Sequence, residues 1–196
     1  MGTGEKIRDA KAERKQERAH KDKRSPAAEA RRSDDPASQL QRVLLLVGQL
    51  NYTWTNTESL LIYLIGGLAR TDKETAIIIF LTLNTPRARI DLVERLAKTE
   101  KTPSECRKDI LDVTARLTRE LRLRNKYNHC IYSFDPESGR GATQLMRIAE
   151  TKDRVRYGKV EELDTVEIQR ITESITQLAN LNKAIWAIMR KYGFRD

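Results

Sequence analysis

Apolar residues recur at intervals of three and four along the chain from residue 36 onward, the spacing of an amphipathic helix. The first such stripe comprises Leu40, Val43, Leu44, Val47, Leu50, Trp54, Leu61, Ile65 and Leu68. It predicts one long helix over residues 36–70, with a bend near Gly48 or at residues 51–53. Two later stripes predict two further long helices, one through Cys106 and Leu121 and one through Ile168 and Ile188.

Shorter segments lie between these stripes. Residues 76–81 are apolar on every side, which is typical of a helix at the centre of a fold or in an oligomer interface. The pairs Thr71/Glu74 and Thr102/Glu105 have the spacing of capping boxes and predict helix starts.

The hydrophobic period changes between the last two helices. Residues 131–134, 143–148 and 155–160 are short strand-like runs separated by turn-forming segments. Asp164, with Glu167 three residues later, predicts the start of the last helix. The fold class is therefore all-α, a bundle of about five helices, with a small β-hairpin or three-stranded insertion at about 131–160 before the last helix.

Residues 1–35 have a different composition and predict a flexible, charged N-terminal arm before a helical domain at 36–196. They contain Ala and charged residues but only one larger aliphatic residue, Ile7, too little apolar surface to offset the entropy of ordering. No secretory signal or membrane-spanning run is found, so we expect a cytoplasmic protein without a membrane partner. Cys106 and Cys130 are expected to be reduced thiols.

The formal net charge of +9 favours a polyanionic partner, RNA or DNA. The arm holds 11 Lys/Arg and 8 Asp/Glu, so most of the excess lies in the helical domain.

The stripe through Cys106 and Leu121 continues to Arg124 and Asn128, so polar groups take over the core-facing side at its end. Such local violations of the burial pattern are expected at functional sites. His129 follows directly and is the only histidine outside the arm. A histidine that moves protons and an arginine that binds phosphate suffice for RNA cleavage without a metal, by attack of the 2′-hydroxyl on the adjacent phosphate.

Geometry and stoichiometry restrict this chemistry. Residues five apart on a straight helix point about 140° apart, so Arg124 and His129 converge only if the helix ends or kinks between them. Cleavage also needs both a base and an acid, and each chain offers one histidine outside the arm. A twofold homodimer would supply the pair. Glu58 lies on the inward face of the first helix and needs a buried partner there.

Arg124-x4-His129 at the end of a late helix resembles the R-x4–6-H motif of the HEPN superfamily, and Asn125 matches the polar residue that often follows the arginine. Tyr52, Trp54, Glu58 and the segments 80–83 and 89–91 look like an uncharacterised bacterial branch. The resemblance implies a dimeric, metal-independent endoribonuclease, a hydrolase without cofactors, with a composite site across the dimer. Arg124 and His129 would be catalytic, Asn125, Asn128 and Tyr127 supporting, and Glu58 would orient Arg124. Many relatives are toxins of toxin–antitoxin pairs or defence proteins, and many pair with a nucleotidyltransferase-type antitoxin.

Two other interpretations stay open at this stage. In the first, the domain is a non-catalytic module that binds RNA, nucleotides or a protein partner. In the second, His129 is a structural histidine and Arg124 is paired with Glu58 inside the bundle.

Overall fold

The computed structural model describes residues 36–135, 137–138 and 140–194. The predicted flexible arm and the proposed cap Asp35 lie outside the described residues. Six helices are described, α1 Pro36–Glu58, α2 Leu61–Ala69, α3 Lys73–Thr82, α4 Pro86–Ala97, α5 Ser104–Asn128 and α6 Thr165–Tyr192. The protein is mostly helical, as the hydrophobic spacing predicts.

The predicted first helix is two helices, and the break lies at Ser59 and Leu60 rather than at Gly48 or residues 51–53. Polar side chains before the break bond back to the helix, since the Asn56 amide donates to the Tyr52 carbonyl and the Ser59 hydroxyl to the Asn56 carbonyl, both at 3.0 Å. Such local bonds compete with the helical ladder and favour its interruption.

The core is formed by the three long helices, with α6 packed on both α1 and α5. Trp54, Leu117 and Leu178 come from these three helices and are fully buried. Helices α2, α3 and α4 pack beside them through α2–α3, α2–α4 and α4–α5 contacts. Cys106 and Cys130 are both free and buried.

The apolar helix α3 does not lie at the centre. Its buried residues are Ala76 and Phe80, whereas Ile78 and Leu81 are exposed. Of the two expected positions, the centre of the fold is therefore wrong, and an oligomer interface stays a prediction.

The starts of α3 and α5 each differ from the predicted capping box by one residue. Asp72, not Thr71, caps α3 by accepting from the Thr75 N–H at 2.9 Å. The Thr102 hydroxyl donates back to the Leu96 carbonyl at 3.3 Å, and α5 starts at Ser104 without a side-chain cap. Asp164 caps α6 by accepting from the Glu167 N–H at 2.8 Å, as expected.

The β insertion lies between α5 and α6, where the change of period predicts it. Its strands are β1 Cys130–Phe134, β2 Gly141–Leu145, β3 Ile148–Thr151, β4 Arg154–Tyr157 and β5 Val160–Glu162. An antiparallel sheet has the order β1–β2–β5, and β3 pairs with β4 in a second antiparallel pair. The insertion thus has more strands than the predicted hairpin or three-stranded ribbon.

The β2–β5 and β3–β4 pairs follow one another along the chain with a bulge between them, and we call the four strands the ribbon. Gln144 is opposite Val160 and Ile148 is opposite Tyr157, so three residues on one strand face two on the other. The extra residue is the mark of a β-bulge, which bends a ribbon and increases its twist. Gly158 permits the close approach, because a Cβ atom there would lie 1.8 Å from the Leu145 carbonyl oxygen.

No helix within the described ranges is both long and apolar enough to cross a membrane.

The Gly158→Ala variant should lose the ribbon bend while the bundle stays folded, because the added methyl group collides with backbone rather than with a movable side chain. Hydrogen exchange should show reduced amide protection across β2 to β5. Gly66→Ala is the matched control, since its Cβ meets only ordinary contacts at 3.6 Å. Unchanged protection of the ribbon in Gly158→Ala would contradict the bulge geometry.

Candidate functional site

Helix α5 ends at Asn128, and residues of the following strand satisfy the carbonyl group of Tyr127 in its last turn. The Tyr132 hydroxyl donates to the Tyr127 carbonyl at 2.7 Å, and the Cys130 thiol donates to the same oxygen at 3.4 Å. Terminal carbonyls of a helix have no partner within the helix, so such contacts define its end. The predicted helix end between Arg124 and His129 is confirmed to within one residue, with His129 as the C-cap at φ −122° and ψ 36°.

The backbone of His129 is held on both sides. Its N–H donates to the Asn125 carbonyl at 3.1 Å, and its carbonyl accepts from the Met146 N–H at 2.8 Å. The side chain is exposed and lines a cleft of about 620 Å³ between the end of α5 and the β insertion. A fixed backbone with an accessible imidazole is the arrangement that a proton-transferring histidine needs.

Arg124 is half-buried and is held by amides. Its Nη1 donates to Asn125 Oδ1 at 3.2 Å. The Asn128 amide forms hydrogen bonds with both Arg124 and Asn51 when its Oδ1 faces the guanidinium. In this orientation Oδ1 accepts from Arg124 Nε at 2.8 Å and Nη2 at 2.9 Å, and Nδ2 donates to Asn51 Oδ1 at 2.8 Å. Asn51 in turn donates to the Val47 carbonyl at 3.0 Å. We call Arg124, Asn125, Asn128 and Asn51 the amide cluster.

Trp54 lies beneath this cluster. Its ring centroid is 6.0 Å from the Arg124 Cζ, at the outer limit of a cation–π contact. The indole Nε1 donates to Glu58 Oε2 at 2.7 Å. Trp54 therefore connects the buried carboxylate to the arginine through its ring.

Glu58 is buried, 6% exposed, and its charged partner is Arg89 on α4. Arg89 Nη1 lies 2.8 Å from Glu58 Oε1, and Arg89 Nε also donates to the carbonyls of Phe80 and Leu83, at 3.1 and 3.0 Å. The expected pairing of Glu58 with Arg124 is wrong, because both carboxylate oxygens are occupied by Arg89 and Trp54. Glu58 fixes α1 against α4 and the end of α3, and it reaches Arg124 only through Trp54.

Tyr127 is turned into the core rather than toward Arg124. It is 1% exposed, and its hydroxyl donates to Glu167 on α6 at 2.5 Å. Burial and the Glu167 carboxylate raise the pKa of Tyr127 well above its usual value. The structure thus places this candidate supporting residue in the packing of α5 against α6, where its hydroxyl bonds Glu167 and not Arg124.

Lys126 joins the same packing and holds the β insertion in place. Its ammonium group lies 2.5 Å from Glu161 on β5 and 2.7 Å from Glu167. Burial alone would raise the pKa of Glu167, but hydrogen bonds from Lys126 and Tyr127 outweigh it, so that pKa lies below its usual value. Glu167 is therefore charged near neutral pH, and the carboxylates of Glu161 and Glu167 balance the positive charge of Lys126.

Asn51 belongs to the amide cluster, although it is not among the site residues predicted from the sequence. It lies on the same inward face as Trp54 and Glu58, three and seven residues before them. A third polar side chain at this helical spacing is the signal that could have found it.

The structure brings Arg124, Asn125 and Asn128 together, whereas His129 lines the cleft, to which Arg124 does not contribute. Asn125 belongs to both the amide cluster and the cleft, since its Oδ1 accepts from Arg124 and the residue also lines the cleft. Over the described part of the chain, no three His, Cys, Asp or Glu side chains are grouped to hold a metal ion. Comparisons with family models, with curated proteins and with solved structures found no match.

A double-mutant cycle on the free energy of unfolding should show that Glu58 is coupled to Arg89 and not to Arg124. Truncating one partner of a buried ion pair costs about 3–5 kcal/mol, because the other charge stays buried and unpaired. Glu58→Ala and Arg89→Ala should each approach this loss in urea unfolding and should be strongly non-additive. Glu58→Ala and Arg124→Ala should be closer to additive. Stronger coupling of Glu58 to Arg124 than to Arg89 would contradict the observed pairing.

Proposed function

We propose that the protein is a metal-independent endoribonuclease of the HEPN type, in which Arg124 and His129 act at a site completed across a homodimer. The observation that carries this proposal is the state of Arg124. Its guanidinium is half-buried and oriented by neutral amides, and none of the described carboxylates forms an ion pair with it.

Arg89 is in the opposite electrostatic state. It forms an ion pair with the buried carboxylate of Glu58 and donates to backbone carbonyls, so its charge is neutralised within the fold. Arg124 keeps its positive charge uncompensated in a partly desolvated position, where an anion is attracted more strongly than in bulk water. A preorganised guanidinium of this kind suits the negative charge that develops on a phosphate oxygen during cleavage.

His129 supplies the proton transfer. In the proposed reaction the 2′-oxygen attacks phosphorus and the bond to the 5′-oxygen breaks, which leaves a 2′,3′-cyclic phosphate and a 5′-hydroxyl. One imidazole accepts the proton of the 2′-hydroxyl, and a protonated imidazole donates to the leaving 5′-oxygen. The second imidazole comes from His129 of a second copy in this mechanism.

The surface beside the amide cluster supports a second copy as the partner. Leu44 and Gly48 lie seven and three residues before Asn51, on the same side of α1. Leu44 is 56% exposed, and nothing lies within 4 Å of a Cβ atom built on Gly48. An exposed leucine beside a glycine lets another helix approach closely. Packing a second α1 there would bring two amide clusters together.

The alternative, a module that binds RNA or nucleotides without cleaving them, uses the same arginine and differs only in turnover. No contact of the described residues favours it over the ribonuclease, so one experiment decides between the two.

The His129→Ala variant should lose RNA cleavage, by at least about 10²-fold as for other lost general acid–base groups, while its helical circular dichroism is unchanged. The wild-type protein should release 2′,3′-cyclic phosphate ends and stay active in EDTA. His20→Ala provides a matched control, since it removes the histidine of the arm.

Cleavage that persists in His129→Ala, or that requires added metal, would refute the proposed mechanism. Salt-dependent RNA binding by a wild-type protein that produces no cyclic phosphate would instead establish the non-catalytic module.

A further inference from the structure

The cleft beside His129 has one wall from the last turns of α5 and the other from the β insertion. Arg122, Asn125 and Lys126 line it from the helix. From the insertion come Thr143, Leu145, Met146, Arg147, Lys159 and Glu161. Its volume of about 620 Å³ lies within the range of small-ligand sites.

The charges in the cleft differ in how far they are already neutralised. Lys126 is held between two carboxylates, and Lys159 has only a loose pair with Glu161 at 3.6 Å. Arg122 and Arg147 are both exposed, and neither forms an ion pair with any residue in the described part of the chain. The cleft therefore presents two uncompensated guanidinium groups, one on each wall, and is also lined by the exposed imidazole of His129.

The ribbon carries an exposed aromatic side chain close along the chain to the cleft. Tyr157 is the last residue of β4 and lies two residues before Lys159, which lines the cleft. Tyr157 is 74% exposed and lies opposite Ile148, itself 65% exposed.

Cationic side chains that follow a groove, with an aromatic ring beside them, are the elements that bind single-stranded nucleic acid. Leu145 and Met146 add an apolar floor against which a base can pack. A free phosphate would leave the exposed ring of Tyr157 without a function, whereas a strand of several nucleotides offers a base to the ring and phosphates to both arginines.

We infer that this cleft binds the single-stranded RNA next to the scissile phosphate, with Arg122 and Arg147 on backbone phosphates and Tyr157 stacked on a base. The inference rests on the proposed ribonuclease function and gives the β insertion the task of selecting unpaired RNA.

The test measures binding of a 2′-O-methyl oligonucleotide of about eight nucleotides, which cannot be cleaved because it lacks the attacking hydroxyl. Wild-type protein is compared with Arg122→Gln, Arg147→Gln, Tyr157→Ser and Tyr157→Phe over a series of salt concentrations. Arg190→Gln is the matched charge control. It is exposed near the far end of α6, roughly 37 Å along the helix from Thr165, next to the β insertion.

Each cleft arginine variant should bind roughly three- to tenfold more weakly, and the slope of log K against log salt should become shallower by about 0.7. Tyr157→Ser should bind roughly tenfold more weakly, while Tyr157→Phe, which keeps the ring, should bind like wild type. Arg190→Gln should leave the slope unchanged.

If Arg122→Gln and Arg147→Gln behave like Arg190→Gln, the cleft is not the RNA path, and cleavage of unmodified RNA by the wild type would still support the proposed function. Conversely, cleft-dependent binding by a wild type that cuts no RNA would retain the cleft and refute the ribonuclease. Equal affinity for duplex and single strand, or an effect of Tyr157→Ser without any salt dependence, would also overturn the inference.

Discussion

The constraint on which the rest of the structure depends is the end of α5. The last carbonyl groups of a helix have no partner within it, and here β1 supplies two donors, Tyr132 and Cys130, to the carbonyl of Tyr127. The same stop lets His129 leave the helical course and take its place in the cleft. Lys126, one turn earlier, binds both β5 and α6, so the insertion is held against the helix end from a second side.

The placement of charge follows from this arrangement. Arg89 reaches the carboxylate of Glu58, whereas Arg124 approaches only the ring of Trp54, whose indole donates to that carboxylate. That allocation leaves Arg124 to asparagine amides, which orient a guanidinium without cancelling its charge. A buried ion pair in the core and a charged group ready for an anion thus come from neighbouring parts of one polar cluster.

Much of the fold could be predicted from the sequence. Periods of three to four and of two distinguish the helices from the insertion, and the polar end of the α5 stripe indicates the helix end and the residues of the candidate site. The partners could not be predicted, because periodicity shows which face a residue occupies and not what lies opposite. Glu58 needs a buried cation, yet Arg89 and Arg124 both satisfy that need until the packing of α4 is known. The break at Ser59 depends on hydrogen bonds of Asn56 and Ser59 to the backbone, and an uninterrupted hydrophobic stripe conceals them.

The chemistry proposed for this site is complete only when two copies contribute, and subunit mixing tests that requirement most directly. Wild-type and His129→Ala chains are mixed in varied proportions, allowed to exchange subunits, and assayed for RNA cleavage at constant total protein. If both imidazoles are needed, activity should follow the square of the wild-type fraction, so that roughly a quarter remains in an equal mixture. Activity proportional to the wild-type fraction, with about half remaining in that mixture, would show that each chain acts alone and would contradict the composite site.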